Sequence, residues 1–557
     1  MPSSKLMSRK FDKDDYAEGW GQTEVSHRVA VWLSILFCAG LVTVPLVDGV
    51  LGSWRDPLLK AREGISRTLR PLVSGQFQWA DVVEANNEAL GAIEEFENSL
   101  EDSSALAAAV RPNALDALLR FGGAGSEEAY VGHDGWLFYR SDVDALTLHA
   151  SENNRAASGI ADFASELARR GIRLVVVPVP GKASIHPEKL AAADTQFASP
   201  PMSPSISALA QNVGSAWQSK EMTDSSLAPI IVDATELLWS RKLETAQDQF
   251  LRTDSHWTPA AMRAVSEKIS ILIAPFADSP TQQKVTTSPR EVSATGDTAL
   301  MLKLPPSSPL LEKQIVTIET VFVDEQEAWQ PDRDSPVLVL GDSYANIYSA
   351  KDLGWGSSAG FAEQLSALLG AGVDKLSRND AGAKSAREML AAEAARNPDW
   401  LDGKKVVVWV MAAREFVRGD WSPVSLQSGA KEPAKDPFFV VPPGEFREVS
   451  ARIVSLGNLP ARGESPYADF LTAIHLTDLE DGASGEKIAG DTLAYLFTMR
   501  NHVVDIPPGL TPGSRVRLRL ANYSDRRNQL DSLNRGDLEE IEVMMEEPNV
   551  AEWIDSQ

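Results

Sequence analysis

The chain contains one cysteine, Cys38, in 557 residues. A single thiol can form neither an intramolecular disulfide nor a cysteine-rich zinc site, so neither staple holds this protein together. The missing disulfides do not exclude a location outside the cytoplasm, because large domains rely on their cores. Dense Lys/Arg blocks are lacking as well. With 53 Lys and Arg against 78 Asp and Glu, the formal net charge is −25. Such a balance repels nucleic acid and anionic lipid, so no nucleic-acid partner is expected. No GxGxxG or Walker pattern is placed to cradle a nucleotide, and no cofactor or metal is expected. Apolar residues are in normal supply: 43% hydrophobic and 24% charged is the composition of a folded chain. Its length exceeds one ordinary core and implies two or three domains.

One long uncharged run stands out, "VAVWLSILFCAGLVTVPLV" at residues 29–47. At ~1.5 Å per residue it is long enough to cross a bilayer core as a helix. The alternative is a cleaved signal peptide, but the run is longer than a usual h-region and no A-x-A site follows. Bulky Phe37 makes "LFCA" a poor lipobox. Lys and Arg flank the run equally on both sides, so charge does not orient it. The reading adopted is a cytoplasmic tail over 1–28, a single-pass anchor over 29–52 in the inner (cytoplasmic) membrane, and a body on the periplasmic side. Residues 53–124 read as a helical stalk.

From 125 to 425 the texture is that of an α/β domain. "YVGHDGWLFYRSD" has a D-G turn between aromatic and apolar residues, which suggests a β-hairpin. Amphipathic segments such as "ASGIADFASELARRG" then alternate with continuous apolar runs: "IRLVVVPVP", "SPVLVLGDS" and "KKVVVWVMAAREF". Continuous runs mark strands buried on both faces of a mainly parallel sheet. In such sheets ligands sit at the carboxyl ends of the strands, and Ser343 ends one of them. "LQSGAKEPAKDP" is linker-like. Beyond it, over 436–549, short alternating runs separated by turn residues predict an antiparallel β-sandwich.

Two short motifs carry chemistry. "RTDSHWTP" places Asp254 two residues before His256, and "LGDSYAN" ends a strand at Ser343. A serine hydroxyl is a weak nucleophile that needs a base, and the base needs an acceptor that holds its tautomer. Ser343, His256 and Asp254 fit those roles. Residues two apart on an extended segment point the same way, so Asp254 is placed to reach the imidazole. Either motif alone is common by chance; a histidine at a helix start is often a cap or a packed residue. Trp257 walls a site or simply packs. Asp342 is read as a turn acceptor.

Together these residues resemble a family. "GDSYA" at a strand end is similar to the first block of the SGNH esterase superfamily, but here the Asp–His pair precedes the serine, the order of a circular permutation. The chain resembles the alginate O-acetyltransferase group of the AlgJ/AlgX type, which carries D-[ST]-H-W upstream of G-D-S. "GHDGWLFYRSD", "VVPVPGKASIHPEKL" and "VVVWVMAAREF" match further segments of that group, over roughly residues 125 to 425. The departure is at the last strand, where Ala413 precedes Arg414 in place of a glutamate. The resemblance implies a permuted, three-layer SGNH-like fold and acetyl transfer to an exported polysaccharide through an acyl-serine. It also implies an acetyl donor delivered by a membrane-bound O-acyltransferase, an exopolysaccharide synthesis and export complex as partner, and a carbohydrate-binding-module-like C-terminal domain. Gly382 and Asn379, in "SRNDAGAKSARE", stand where an oxyanion block belongs. Arg414, Lys182 and Tyr344 join them as candidates to line the site, with ordinary packing or a solvated surface as the alternative. Arg515, Arg517 and Arg519 alternate along one strand, as a basic sugar-binding face or any half-exposed strand would. The same relay serves an acetylesterase, and a scaffold with a vestigial relay is the non-catalytic alternative.

Overall fold

A computed structural model describes residues 104–554, with scattered positions between 35 and 93. Within 104–554 it leaves out 123–125, 149–152, 192–194, 203–207, 221, 223, 278–283, 325–326, 380, 427–437, 461–466, 508–509 and 539. The expected anchor over 29–52 lies mostly outside the described residues, and the tail over 1–28 entirely so. Among the described residues no helix is long and apolar enough to cross a membrane. The described part of the expected stalk is chiefly a helix over Ala105–Gly122. The chain divides into two compact units, residues 1–115 and 116–557, and the second holds every strand among the described residues.

That unit opens with the hairpin β1 (Ala129–Val131) and β2 (Leu137–Tyr139), paired antiparallel. The main layer then follows. Helix α1 (Asn153–Ala168) leads into β3 (Arg173–Val179), and β4 (Ile230–Ile231) adds an edge. Helix α2 (Pro259–Ile273) starts just after His256, with Thr258 capping it by accepting the Ala261 N–H. A polar ribbon, β5 (Val285–Ala294) and β6 (Gln314–Val323), flanks the short helix α3 (Asp297–Met301). After β7 (Glu327–Ala328) come β8 (Val337–Gly341), α4 (Ser343–Asn346) and α5 (Phe361–Leu369). β9 (Asp374–Ser377), α6 (Ala383–Arg396) and β10 (Val406–Ala412) close the layer. The strand order is β4-β3-β10-β8-β9, and every pairing is parallel.

The apolar runs form this sheet because side chains alternate between two buried faces. Val406, Val408 and Val410 join one core with α2 and α5; Val407, Trp409 and Met411 join the other with α1 and α6. The result is the three-layer α/β arrangement that the resemblance implies. The β5–β6 ribbon was not legible from apolar periodicity: most of β5 is exposed Thr, Ser, Arg and Glu, held by its ladder to β6.

The C-terminal domain is β-rich as expected, but its sheet closes on itself instead of separating into two layers. β11 (Phe446–Leu456), β12 (Phe470–Asp481), β13 (Thr492–Arg500), β15 (Arg515–Asn522) and β17 (Pro548–Trp553) each bond two neighbours of the ring, with β14 (Val503–Val504) and β16 (Asn534–Gly536) added outside. Register shifts in β11 and β12 supply the bends. The parallel β13–β17 pair cannot be foreseen from alternation, which says nothing of strand direction. Two of the three arginines expected to form a basic face are paired across the ladder: Arg515 meets Glu480 at 2.5 Å and Arg519 meets Glu448 at 3.0 Å. Tyr495 and Tyr523 are buried.

A buried ion pair braces the sheet. Lys404 Nζ lies 2.7 Å from Asp374 Oδ2 with both side chains 0% exposed, and donates to the Arg333 and Ser335 carbonyls at 2.6 and 2.9 Å. Removing one partner strands the other charge, at a cost of about 3–5 kcal/mol. Lys404→Met should therefore lower the urea midpoint sharply, while adding Asp374→Leu should recover most of the loss.

Candidate active site

The turn after β8 sets the first side chain. Asp342 caps it, accepting the Tyr344 N–H at 2.9 Å on one oxygen and the Ala412 N–H at 2.9 Å on the other. The second bond ties the serine turn to the end of the neighbouring strand β10. Burial pushes the Asp342 carboxyl up to about 6 against the pull of those donors and of Arg414. Ser343 is thereby held at the carboxyl edge of the sheet, 5% exposed.

The loop before α2 sets the others. His256 Nε2 lies 2.8 Å from Ser343 Oγ, across 87 residues of chain, and His256 Nδ1 lies 2.7 Å from Asp254 Oδ1. Asp254 Oδ1 also accepts the His256 N–H at 3.0 Å. Its other oxygen accepts the Asp297 N–H at 3.0 Å and the Trp355 indole N–H at 2.8 Å. Burial alone would raise the Asp254 carboxyl, but the histidine charge and these donors outweigh it and hold it down at about 2. Burial opposes charge on His256 too, yet the adjoining carboxylate charge of Asp254 and its hydrogen bond raise the imidazole above its ordinary 6.5.

A second carboxylate stands behind the imidazole. Asp297 Oδ2 is 3.4 Å from His256 Nδ1 and accepts the Ser255 hydroxyl at 2.6 Å. Asp254, His256 and Asp297 are the one close cluster of three such groups among the described residues. Every carboxylate oxygen in it already accepts N–H or O–H donors, and a cation on Nδ1 would displace the proton shared with Asp254. The set is built for proton handling. Asp297 and Trp355 were missed in the sequence. Trp355 had a readable signal: it lies between Gly354 and Gly356, both at positive φ (80° and 98°), a conformation that favours glycine and turns the indole inward.

The remaining candidates divide differently from expectation. Tyr344 packs on the His256 ring at 4.8 Å between centroids, and its hydroxyl donates to the Ser255 carbonyl at 3.2 Å, so it supports the imidazole from behind. Trp257 is fully buried, stacked on Phe361 and donating to the Tyr344 carbonyl at 3.2 Å; it is core, not a wall of an open cleft. Lys182 is neither cleft-facing nor solvated. It is 1% exposed and donates to the carbonyls of Leu137 at 2.6 Å and Arg252 at 3.2 Å, joining the hairpin to the His256 loop. Burial lowers its ammonium to about 8 against the pull of Asp254 and Asp297. Arg414 pairs with Asp142 at 2.9 Å, one strand over from Ser343. Gly382 precedes α6, where a side chain would meet Glu415 Oε2 at 2.9 Å, the atom that accepts the Ala383 N–H. Asn379 is a joint between domains: its amide donates to Asp352 at 2.7 Å and its N–H to the Ser532 carbonyl at 3.2 Å.

Because the folded-state value of Asp254 lies below its ordinary 3.8, its contribution to stability is present above that value and lost as pH falls through about 2. Trp355→Phe removes a donor to this carboxylate. The variant should lose about 1.5–3 kcal/mol at neutral pH and begin acid unfolding at a higher pH than the parent, as read by urea titrations across pH.

Comparison with known proteins agrees with this region. Residues 129–413 match the family model described as SGNH hydrolase-like domain, acetyltransferase AlgX. The probable alginate O-acetylase AlgJ of Pseudomonas aeruginosa is 29% identical over 182 residues, covering 32% of this chain and 41% of the relative. The probable alginate O-acetylase AlgJ of Pseudomonas fluorescens is 27% identical over 226 residues, covering 39% and 52%. The chain thus spans about half the length of these relatives or less. Among solved structures, the O-acetyltransferase domain of Pseudomonas putida AlgJ superposes with a TM-score of 0.39 at 19% identity, over 53% of this chain and 95% of that one. Pseudomonas aeruginosa AlgX superposes with a TM-score of 0.39 at 15% identity, over 72% and 92%.

Proposed function

The chain belongs to the AlgX-type family of SGNH hydrolase-like acetyltransferases, and on that premise we propose that it is an O-acetyltransferase acting on an exported polysaccharide through an acetyl-serine at Ser343. The observation that carries this reading is the unbroken contact from Ser343 Oγ to His256 Nε2 at 2.8 Å and from His256 Nδ1 to Asp254 at 2.7 Å. With the proton on Nδ1 held by a carboxylate, Nε2 presents its lone pair to the hydroxyl. Ser343 Oγ attacks the acetyl carbonyl while its proton passes to Nε2. The imidazolium then protonates the departing group of the donor. A sugar hydroxyl next gives its proton to Nε2 and attacks the acyl-serine, and collapse releases the ester and returns the proton to Ser343. The Ser343 and Gly382 backbone N–H groups are proposed as oxyanion donors, each worth ~3 kcal/mol in such sites. Arg414 remains a proposed contact for an acidic sugar from its place beside Asp142.

The proposed setting is a body anchored by residues 29–52 and facing away from the cytoplasm, with a membrane-bound O-acyltransferase as acetyl donor. The uncharged run in the sequence supports the anchor. An enzyme so placed does not meet cytoplasmic acetyl-CoA. The closed β domain is proposed to hold the glycan, on its position after the α/β domain.

The test uses the full chain with a surrogate acetyl ester and a polysaccharide acceptor. A serine-directed phosphonate should label Ser343 in the parent and leave His256→Ala unlabelled. Ser343→Ala should lower turnover at least ~10³-fold, the scale for loss of a nucleophile. Acetylated glycan as product supports transfer; free acetate alone, with acceptor present, indicates an esterase. Unchanged turnover in Ser343→Ala, or labelling elsewhere, removes the proposal.

A further inference from the structure

The relay has one carboxylate more than serine chemistry requires. Asp297 comes from α3, a different element from the loop that carries Asp254 and His256, and the fold is shaped to bring it in. Gly296 packs so tightly on that loop that a β-carbon there would lie 2.2 Å from the Thr253 carbonyl oxygen and 2.4 Å from the Asp254 nitrogen. Two bonds from backbone N–H groups seal the contact: Ala299 N–H to the Thr253 carbonyl at 3.1 Å, and Asp297 N–H to the Asp254 side-chain Oδ2 at 3.0 Å. The Asp297 side chain is then aimed. Oδ1 accepts the Ser255 N–H at 2.6 Å together with the Thr298 N–H and hydroxyl. Oδ2 accepts the Ser255 hydroxyl at 2.6 Å and lies 3.4 Å from His256 Nδ1, while Ser255 Oγ sits 3.3 Å from that nitrogen.

We infer that Asp297 is a positioning residue of the relay, a second carboxylate that acts on His256 from the Nδ1 side, together with Ser255, to keep the proton on Nδ1 and to stabilise the imidazolium formed when Ser343 is deprotonated. This deepens the acyl-transfer reading and rests on it. The short 2.7 Å bond to Asp254 sets the ring plane. The more distant Asp297 charge adds attraction only for a cationic ring, and does so in a site where water screens little. Two buried carboxylates that repel one another are costly to assemble. Burial and the Asp254 charge accordingly raise the Asp297 carboxyl above its ordinary 3.8, against the pull of the His256 charge and of the Ser255 donors.

Other charges face the same ring. Asp254 and Ser255 approach from its own loop, Asp297 from α3, and Asp342 and the Tyr344 ring from the turn after β8. Lys182, after β3, acts on Asp254 and Asp297, and Arg414, after β10, acts on Asp342. Neither cation is altered in the test.

Asp297→Asn keeps an oxygen for the Ser255 N–H and the Thr298 donors, places its amide NH2 toward the Ser255 hydroxyl, and deletes the charge. In the full chain with p-nitrophenyl acetate, the ascending acid limb of kcat/KM should move about one unit to lower pH, because a less favoured imidazolium releases its proton earlier. kcat should fall ~10-fold with KM little changed, since the interaction is made in the transition state. The imidazole titration of His256, read by NMR in a Ser343→Ala background, should shift by the same amount and in the same direction. As a second handle, Asp254→Asn should leave His256 titrating at or above the ordinary histidine value, because Asp297 still faces it. A loss of kcat with the acid limb and the titration both unmoved makes Asp297 a loop brace only and overturns the inference, as does a His256 value below the ordinary one in Asp254→Asn. Full turnover by Ser343→Ala would instead strike the acyl-serine reading, and the imidazole titration would still decide whether Asp297 acts on the ring.

Discussion

A buried negative charge at Asp254 organises this protein. A carboxylate taken out of water survives only if donors replace its hydration. Here the His256 backbone and ring, the Asp297 backbone and the Trp355 indole supply them. These groups come from the His256 loop, the start of α3 and the loop after α4. Satisfying one carboxylate therefore draws three segments together and leaves the imidazole with a single useful direction, toward Ser343. The chemistry proposed for the site and the local folding of the loops follow from the same demand.

Most of the motifs that the sequence offers as site residues are supports for this arrangement. Lys182 uses its ammonium to bind two carbonyls, one in the hairpin and one in the His256 loop. Arg414 is met by Asp142 from the helix that follows the hairpin. Asp342 ties the serine turn to the next strand. A catalytic rim assembled from distant segments needs such ties, because misplacement of a reacting group by about 1 Å costs orders of magnitude in rate. A recurrent motif can therefore carry geometry without touching a substrate.

The β-rich domain bears on the rim as well. Asp537 pairs with Arg378 at the end of β9, Arg527 with buried Glu393 on α6, and the Ser532 carbonyl receives the Asn379 N–H. β9 is the strand beside β8, so this domain abuts the strand next to the one that carries Ser343. The ring leaves none of its five strands unpaired on either side, and Arg515 and Arg519 are spent on carboxylates across the ladder.

Continuous valine-rich runs determined a parallel sheet buried on both faces, because only such strands need apolar side chains at every position. The G-D-S at a strand end and the D-x-H before a helix determined the identities of Ser343, His256 and Asp254 as candidates, because so few residue types can do nucleophilic chemistry. Sequence could not decide that they meet, since 87 residues separate the histidine from the serine and only strand order closes that gap. Nor could it find Asp297, whose meaning depends on a glycine letting one loop press against another. It could not tell a buried lysine from a cleft lysine, or an open sandwich from a closed ring. Each of these turns on which backbone carbonyl, carboxylate or strand stands opposite, and that partner is chosen by packing across the whole fold and not by neighbours along the chain.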